Sequence, residues 1–152
     1  MTFADHHAAL SAADLLPSVD AAVQSVFRRA QSAFVYAWFD YELTSLAQWQ
    51  ACAALEMQLR RHFAGPKGRP RGLRQLFARA IESGALDSFT PGAEGGPFDR
   101  TRLDQVALAL SAIRNDGAHG ADTVVTPSMA LSLLTICARL INHLAARQDA
   151  PS

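Results

Sequence analysis

Apolar residues recur at helical spacing along most of this chain, and no stretch alternates between apolar and polar residues as a half-buried strand would. The pattern predicts a helix over residues 19–31 and a long, mostly apolar segment over 34–63 with a break near Tyr41–Thr44. A further helix is predicted from Leu73 to Ile81, with Gly84 as its C-terminal stop. The first half of the chain is therefore predicted to be a series of helices.

The last two predicted helices carry the clearest apolar stripes. One runs from Leu103 to Arg114, and the other begins at Thr126-Pro127, where a hydroxyl cap precedes a proline at the first helical position. The residues between 85 and 98 include several glycines and prolines and predict a long loop. Together these elements predict an all-α fold, an antiparallel bundle of four to five helices.

The chain is expected to form one domain between two short ends. Residues 1–17 are expected to be a partly ordered tail or a short helix, residues 18–147 a single helical domain, and residues 148–152 a disordered tail. Ser18 and Thr101 are the predicted N-caps of the helices that follow them. With 152 residues, 49% of them hydrophobic and 18% charged, the chain is long enough and apolar enough to bury a core.

The charge of the chain is balanced overall but uneven along its length. The formal net charge is zero, so no global field favours nucleic acid. However, seven of the 14 cations lie between residues 60 and 79, where there is no acid. This segment predicts either a basic patch that follows an RNA backbone or simply a solvated loop and helix face. The candidate RNA-binding residues are Arg60, Arg61, Lys67, Arg69, Arg71 and Arg74.

The two cysteines and the N-terminus bear on the cellular compartment. Cys52 and Cys137 stand in apolar helical contexts without zinc-site or disulfide spacing, which predicts two buried, reduced thiols. Residues 1–16 lack the basic start of a signal peptide, and no run reaches the ~18 apolar residues of a membrane helix. We expect a cytoplasmic protein with no metal, no cofactor and no membrane contact.

A polar segment, Arg-Asn-Asp-Gly-Ala-His-Gly at residues 114–120, directly follows one of the apolar stripes. Arg114 is a permanent cation with a rigid fork of donors, and His119 is a side chain that exchanges a proton near neutral pH. Such a pair suits metal-free chemistry on a phosphodiester. Gly117 and Gly120 are expected to end the helix, so that His119 would be presented from a turn.

Acidic residues within the apolar segment 34–63 need partners if they are buried. Glu56 is the most informative of them, and two interpretations remain open for it. It either meets an arginine or a backbone donor in the core, as a structural group, or approaches Arg114 or Asn115 and orients them. Asp40 and Glu42 fall under the first interpretation alone.

The segment around Arg114 resembles the signature of the HEPN superfamily of small helical domains. In that family an arginine, commonly followed by a polar residue, precedes a histidine by four to six intervening residues; here Arg114, Asn115 and His119 match with four residues between. Residues 54–60 resemble the acid-bearing helix that precedes the motif in many members. The resemblance covers residues 20–147, although Asp116 and the loop over 85–98 depart from the family pattern.

The resemblance implies a homodimer whose two motifs face each other and form a composite, metal-independent ribonuclease site of toxin or defence type. Arg114, Asn115 and His119 would then be catalytic, with Glu56 and Asp116 positioning them. RNA and an antitoxin or other regulatory protein would be its partners. Other members are non-catalytic, so the alternative is a HEPN-like dimer that only binds RNA or a protein partner.

The aromatic residues of the apolar segment admit several interpretations. Tyr36, Trp38, Tyr41 and Trp49 lie at helical spacing, which predicts core or dimer-interface positions rather than a platform for stacking bases. A bundle that binds a small molecule in an apolar cavity lined by Trp38, Trp49 and Met57 is a further hypothesis. His6, His7 and His62 lack companions at metal-ligand spacing.

Overall fold

A computed structural model describes residues 2–63, 72–92, 95–119 and 125–148, and of residues 117–119 it describes only the backbone. Every regular element within these ranges is helical, which confirms the all-α prediction. There are more helices than the four to five expected. In chain order they are α1 (Phe3–Ala8), a 3₁₀ helix (Ala9–Ala13), α2 (Ala21–Tyr36), α3 (Leu43–His62), α4 (Leu73–Glu82), α5 (Arg100–His119) and α6 (Pro127–Gln148).

Helices α2 and α3 form a hairpin around a six-residue turn at 37–42. The predicted break in the long apolar segment is therefore present, but α2 continues past residue 31 and includes Phe34. Asp20 caps α2, because its Oδ1 accepts the backbone N–H of Ala22 at 2.9 Å. The cap predicted at Ser18 is thus wrong by two residues. In the turn, Asp40 Oδ1 accepts the N–H of Glu42 at 3.1 Å.

Helices α3 and α6 form the centre of the fold and run in the same direction. Thr44, at the start of α3, donates to the carbonyl of Val125 just before α6 at 3.1 Å. At the other end, Gln58 of α3 donates to Gln148 of α6 at 3.4 Å. The predicted antiparallel arrangement is therefore wrong for α3 and α6. Fully or nearly fully buried small residues line the two helices and let them approach closely, among them Ala47, Ala51, Ala54, Ala130 and Ala138.

Helix α4 and the segment after it close one side of the bundle against α3 and α5. Gly84 ends α4 as predicted, in a left-handed conformation with φ of 74°. The loop that follows is long, as predicted, but it is anchored in the core through Leu86 and Phe89, which are buried. Helix α5 is capped by Asp99, which accepts the N–H of Arg102 at 2.8 Å, and not by Thr101.

Residues 2–16 pack against the bundle. His6 of α1 is buried, and its ring stacks on Phe34 with 4.2 Å between ring centroids. The His6 Nε2 lies 2.6 Å from the carbonyl oxygen of Phe34, to which it donates. Asn142 of α6 donates to the carbonyl of Asp14 and accepts the N–H of Leu16, so this segment is tied to both α2 and α6.

Helix α6 is the one element of the described part that is long and apolar enough to cross a membrane, by length and composition. Its most apolar 18-residue window has a mean hydropathy of 1.5, and half of that window is buried inside the fold. Both properties are also those of a core helix, which is how α6 packs along α3. Cys52 of α3 and Cys137 of α6 meet in this core, where both are fully buried as predicted.

Candidate functional site

Helix α5 extends through the polar motif, from Arg114 to His119, instead of ending at its start. The predicted helix end at Arg114 and the predicted turn before His119 are wrong, since α5 runs through to residue 119. Gly117 is accommodated within the last turns, where glycine costs about 1 kcal/mol relative to alanine. Because residues on an α-helix are about 100° apart, positions 114 and 119 lie about 140° apart around the axis of α5.

Arg114 is held against α3 from two directions. Its Nε donates to Oε2 of Glu56 at 3.2 Å, and its guanidinium carbon lies 5.0 Å from the centre of the Trp49 ring. Trp49 and Glu56 are seven residues apart on α3, which places them two turns apart on one face. The side chain of Arg114 is 27% exposed, so the guanidinium is fixed in place while part of it still reaches solvent.

Glu56 is shared between two arginines. Its Oε2 faces Arg114, and its Oε1 accepts from Arg60, one turn later on α3, at 2.7 Å. With 14% of its side chain exposed, Glu56 is the most buried member of this group. The contact with Arg114 is present, and it fits both the structural and the positioning interpretation of this acid.

The other motif residues follow on the last turns of α5. Asn115 and Asp116 are exposed and lie next to Arg114 on the helix. The structure thus brings Arg114, Glu56 and Trp49 into contact, with Asn115 and Asp116 at the surface beside them. The side chain of His119 lies outside the described residues, as does Gly120. Trp49 was expected in the core or a dimer interface; nothing in the sequence indicated its contact with Arg114.

Several arginines of the predicted basic segment already form ion pairs or ring contacts within the fold. Arg60 pairs with Glu56, and Arg61 pairs with Asp20 at 2.5 Å. Arg79 lies over the ring of Phe63, with 5.2 Å between the guanidinium carbon and the ring centre. Arg74 is exposed on α4. The remaining predicted cations lie outside the described residues, namely Lys67, Arg69 and Arg71.

Two histidines lie where α6 meets α3 and the loop after α4. Burial lowers the pKa of His62, and the nearby charge of Arg147 lowers it further. Burial likewise lowers the pKa of His143, whose Nε2 donates to the carbonyl of Ala85 at 2.9 Å. Within the described part of the chain there is no group of three or more metal-ligating side chains.

An apolar groove of about 470 Å³ separates α5 from α6 beside the candidate site. Both helices pack on α3, but within the described residues they contact each other only sparsely, so the groove stays open. Ile113, next to Arg114, lines one wall, and Met129, 53% exposed, lines the other. Sequence reasoning missed this groove, because the stripes of α5 and α6 both predicted burial against other helices.

The turn between α2 and α3 exposes several aromatic rings. Tyr36 is 61% exposed and Phe39 74%, while Trp38 and Tyr41 are 41% and 45% exposed. Phe3 of α1 lies alongside, with 5.6 Å between its ring centre and that of Phe39. The predicted core position is therefore wrong for Tyr36, Trp38 and Tyr41, whereas the alternative of a dimer-interface position stays a prediction. The break was predicted near Tyr41–Thr44, but the turn already begins at residue 37, so Trp38 and Tyr41 lie outside the helical stripe and Tyr36 is the last residue of α2.

Comparison of the chain with protein-family models, with curated proteins and with solved structures finds no match. What the chain does must therefore be inferred from its own residues and their geometry.

Proposed function

We propose that this chain is a HEPN-like, metal-independent RNA endonuclease that acts as a homodimer. Arg114, Asn115 and His119 are its catalytic residues, and Glu56 and Asp116 position them. The observation that supports this most strongly is the way Arg114 is held, with Nε bonded to Glu56 and its guanidinium over the ring of Trp49. An arginine restrained in this way loses little side-chain freedom when it binds a phosphate, which favours a role in the reaction.

The chemistry needs two proton transfers and one stabilised charge. One histidine takes the proton of a ribose 2′-OH, and the resulting oxygen attacks the adjacent phosphorus. The 5′-oxygen of the next nucleotide leaves and takes a proton from a second histidine. The products are a 2′,3′-cyclic phosphate and a 5′-hydroxyl. Arg114 neutralises the charge that builds on the phosphoryl oxygens, and Asn115 donates a hydrogen bond to the same group.

A dimer supplies what one chain lacks in this scheme. A single chain contributes one motif histidine, whereas a two-fold pair contributes two at one cleft. The wide angle between positions 114 and 119 around α5 also favours a composite arrangement, in which the arginine of one copy works with the histidine of another. The 2′-OH requirement restricts cleavage to RNA. We place the protein in the cytoplasm as a toxin or defence effector, controlled by an antitoxin or another regulatory protein.

Cleavage of a labelled RNA in the presence of EDTA tests the proposal. Wild-type protein should cut the strand and leave a cyclic phosphate, and His119→Ala should abolish the cut without altering the helical circular-dichroism spectrum. Gln105→Ala, at an exposed position on the same helix, serves as the matched control and should cleave normally. Equal cleavage by His119→Ala and the control would sink the assignment.

A second candidate function, a HEPN-like dimer that only binds RNA or a protein, is favoured by a different observation. The ion pair between Glu56 and Arg114 also ties α3 to α5, which is a structural role that needs no reaction. The open apolar groove beside Ile113 would then be the binding surface for that partner. This function predicts that His119→Ala leaves binding intact and that no condition yields cleavage.

A further inference from the structure

We propose that the surface between α2 and α3 binds single-stranded RNA, with Arg28 and Arg29 on its phosphates and Tyr36 stacked on a base. The inference deepens the proposed function, on which it rests, by naming the form of the substrate and the surface that holds it. This surface is separate from the basic segment that the sequence indicated. The observation that supports the inference is the arrangement of two grooves on either side of Tyr36.

The first groove, with a volume of about 470 Å³, lies between α2 and α3 and suits an anionic ligand. Arg28 and Arg29 line it together with Ser25 and Ser32, and no acidic residue lines it.

Both arginines of this groove, Arg28 and Arg29, are exposed, and neither forms an ion pair within the described residues. This differs from Arg60, Arg61 and Arg114, whose guanidinium groups are each paired with a carboxylate. Two uncompensated guanidinium groups in one groove match the charge of a phosphodiester backbone.

The second groove, of about 540 Å³, lies between α2 and the N-terminal helices and is more polar. Its lining includes His7, Ser11, Asp14 and Gln31. The amide nitrogen of Gln31 already donates to the carbonyl of Ala13 and to Asp14 Oδ1, so the Gln31 amide oxygen and the side chains of His7 and Ser11 are the groups that can pair with the edge of a base. Tyr36 lines both grooves and therefore forms the ridge between them. A ring that is 61% exposed at such a ridge is placed to stack on a base whose phosphates lie in one groove and whose edge lies in the other.

One wall of the first groove lies on α3, the helix that also carries Trp49 and Glu56. Leu46 of α3 lines the groove, and Trp49 lies three residues further along the same helix. Positions i and i+3 are neighbours on a helix surface, about 4.5 Å apart along the axis. Trp49 in turn lies beneath the guanidinium of Arg114. A strand held by Arg28, Arg29 and Tyr36 would therefore extend along α3 to the arginine that the proposed reaction uses.

Single-stranded RNA fits this surface better than a duplex does. An exposed ring can stack on an unpaired base, whereas the bases of a duplex are already stacked on one another. A protein partner would be expected to use the apolar groove between α5 and α6, where polar side chains are few.

Binding of a fluorescently labelled, single-stranded RNA of about 12 nucleotides, followed by anisotropy, tests the inference in the His119→Ala background, which keeps the strand intact. Tyr36→Ala should weaken binding roughly ten-fold, the cost of one lost base stack. Tyr36→Phe keeps the ring and should bind normally. Tyr41→Ala is the matched control, because Tyr41 is exposed in the adjoining turn but lines neither groove.

The salt dependence of binding tests the two arginines separately. Replacing Arg28 and Arg29 by alanine should reduce the slope of log affinity against log salt by about 1.4, since each phosphate contact on a single strand contributes about 0.7. The paired change of Arg100 and Arg102 to alanine, also exposed, is the control and should leave the slope unchanged.

Several outcomes would overturn the inference. These are absence of RNA binding, equal losses in Tyr36→Ala and Tyr41→Ala, an unchanged salt slope in the arginine variant, or duplex RNA bound as tightly as the single strand. Cleavage by the wild-type chain in EDTA is scored separately. Tyr36-dependent binding without cleavage would remove the proposed reaction and retain the surface, whereas cleavage unaffected by these variants would do the reverse.

Discussion

At the scale of single residues, Glu56 is the side chain on which the candidate site most depends. It lies on α3 with 14% of its side chain exposed and accepts from Arg60 on its own helix and Arg114 on α5. An acid in this position needs its cations, because removing one partner of a mostly buried pair leaves a charge without compensation. The two arginines differ in exposure, 45% for Arg60 and 27% for Arg114, so they should contribute unequally.

This asymmetry predicts the relative stability of three variants. Glu56→Gln should lower the free energy of unfolding by about 1–2 kcal/mol, because it removes the charge that both arginines face. Arg114→Ala should cost a similar amount, since the ring contact with Trp49 is lost as well. Arg60→Ala should cost less than about 0.5 kcal/mol, as expected for an exposed pair one turn apart. Urea unfolding measures all three; an Arg60→Ala loss as large as that of Glu56→Gln would contradict this account.

His62 and His143 predict how stability changes with pH. Burial and the charge of Arg147 lower the pKa of both side chains from the ordinary value of 6.5. The unfolded chain therefore binds more protons than the folded chain between the lowered values and 6.5, and stability falls as the pH falls through that window. Urea unfolding at about pH 7.5 and about pH 5.5 should show this loss. Replacing both histidines by glutamine should flatten the dependence, and an equally steep dependence in that variant would refute the assignment.

Residue chemistry could be predicted from the sequence only in part. Arg114 and Glu56 were singled out by residue type and by their positions on two predicted helices, and they do lie in contact. Tyr36 and Trp49 were grouped as core or interface aromatics because periodicity describes which face a residue occupies and not what covers that face. Tyr36 lies at the end of its helix and is exposed, whereas Trp49 acquires a cation above its ring.

At the scale of elements, helix existence was easier to predict than helix ends. The start of α6 at Thr126-Pro127 was predicted correctly, and Thr126 Oγ1 accepts the N–H of Met129 at 3.2 Å. The caps of α2 and α5 were misplaced by two residues, because Ser18 and Thr101 stand close to aspartates that cap equally well. The end of α5 was misplaced further. Gly117 was treated as a helix terminator, whereas a helix can accept one interior glycine at modest cost.

The cap of α2 gives a test that separates the predicted residue from the observed one. Asp20 accepts the N–H of Ala22 through Oδ1 and the guanidinium of Arg61 through Oδ2. Asp20→Ala should lower the free energy of unfolding by about 1–2 kcal/mol, and Asp20→Asn, which keeps the cap, by less than about 1 kcal/mol. Ser18→Ala should change it by less than about 0.5 kcal/mol. Thermal or urea unfolding decides; a larger effect at Ser18 than at Asp20 would restore the predicted cap.

At the scale of the whole molecule, the parallel packing of α3 and α6 arranges the remaining elements. The two helices meet through small buried residues and through Cys52 and Cys137, whose contact and burial raise the pKa of the Cys137 thiol. Such contacts between distant segments cannot be read from local periodicity, so the direction of α6 was not predictable from the sequence. Helix α5 then packs on α3 beside α6, and the open groove between α5 and α6 adjoins the end of α5 that carries Arg114.

The composite nature of the proposed site predicts how activity depends on the mixture of chains. If each cleft needs a histidine at position 119 from both copies, a dimer that contains one His119→Ala chain is inactive. Wild-type and His119→Ala chains are mixed in equal amounts, unfolded together and refolded. The mixture should then have about a quarter of the activity of wild-type protein at the same total concentration, because only about a quarter of the dimers contain two wild-type copies. A site complete within one chain would instead retain about half of that activity.

EDTA-resistant cleavage, measured across a series of mixing ratios, distinguishes a quadratic from a linear dependence of activity on the wild-type fraction. The Gln105→Ala chain, mixed in the same way, controls for dilution and should leave activity unchanged, and a linear dependence for His119→Ala would place the whole reaction within one copy.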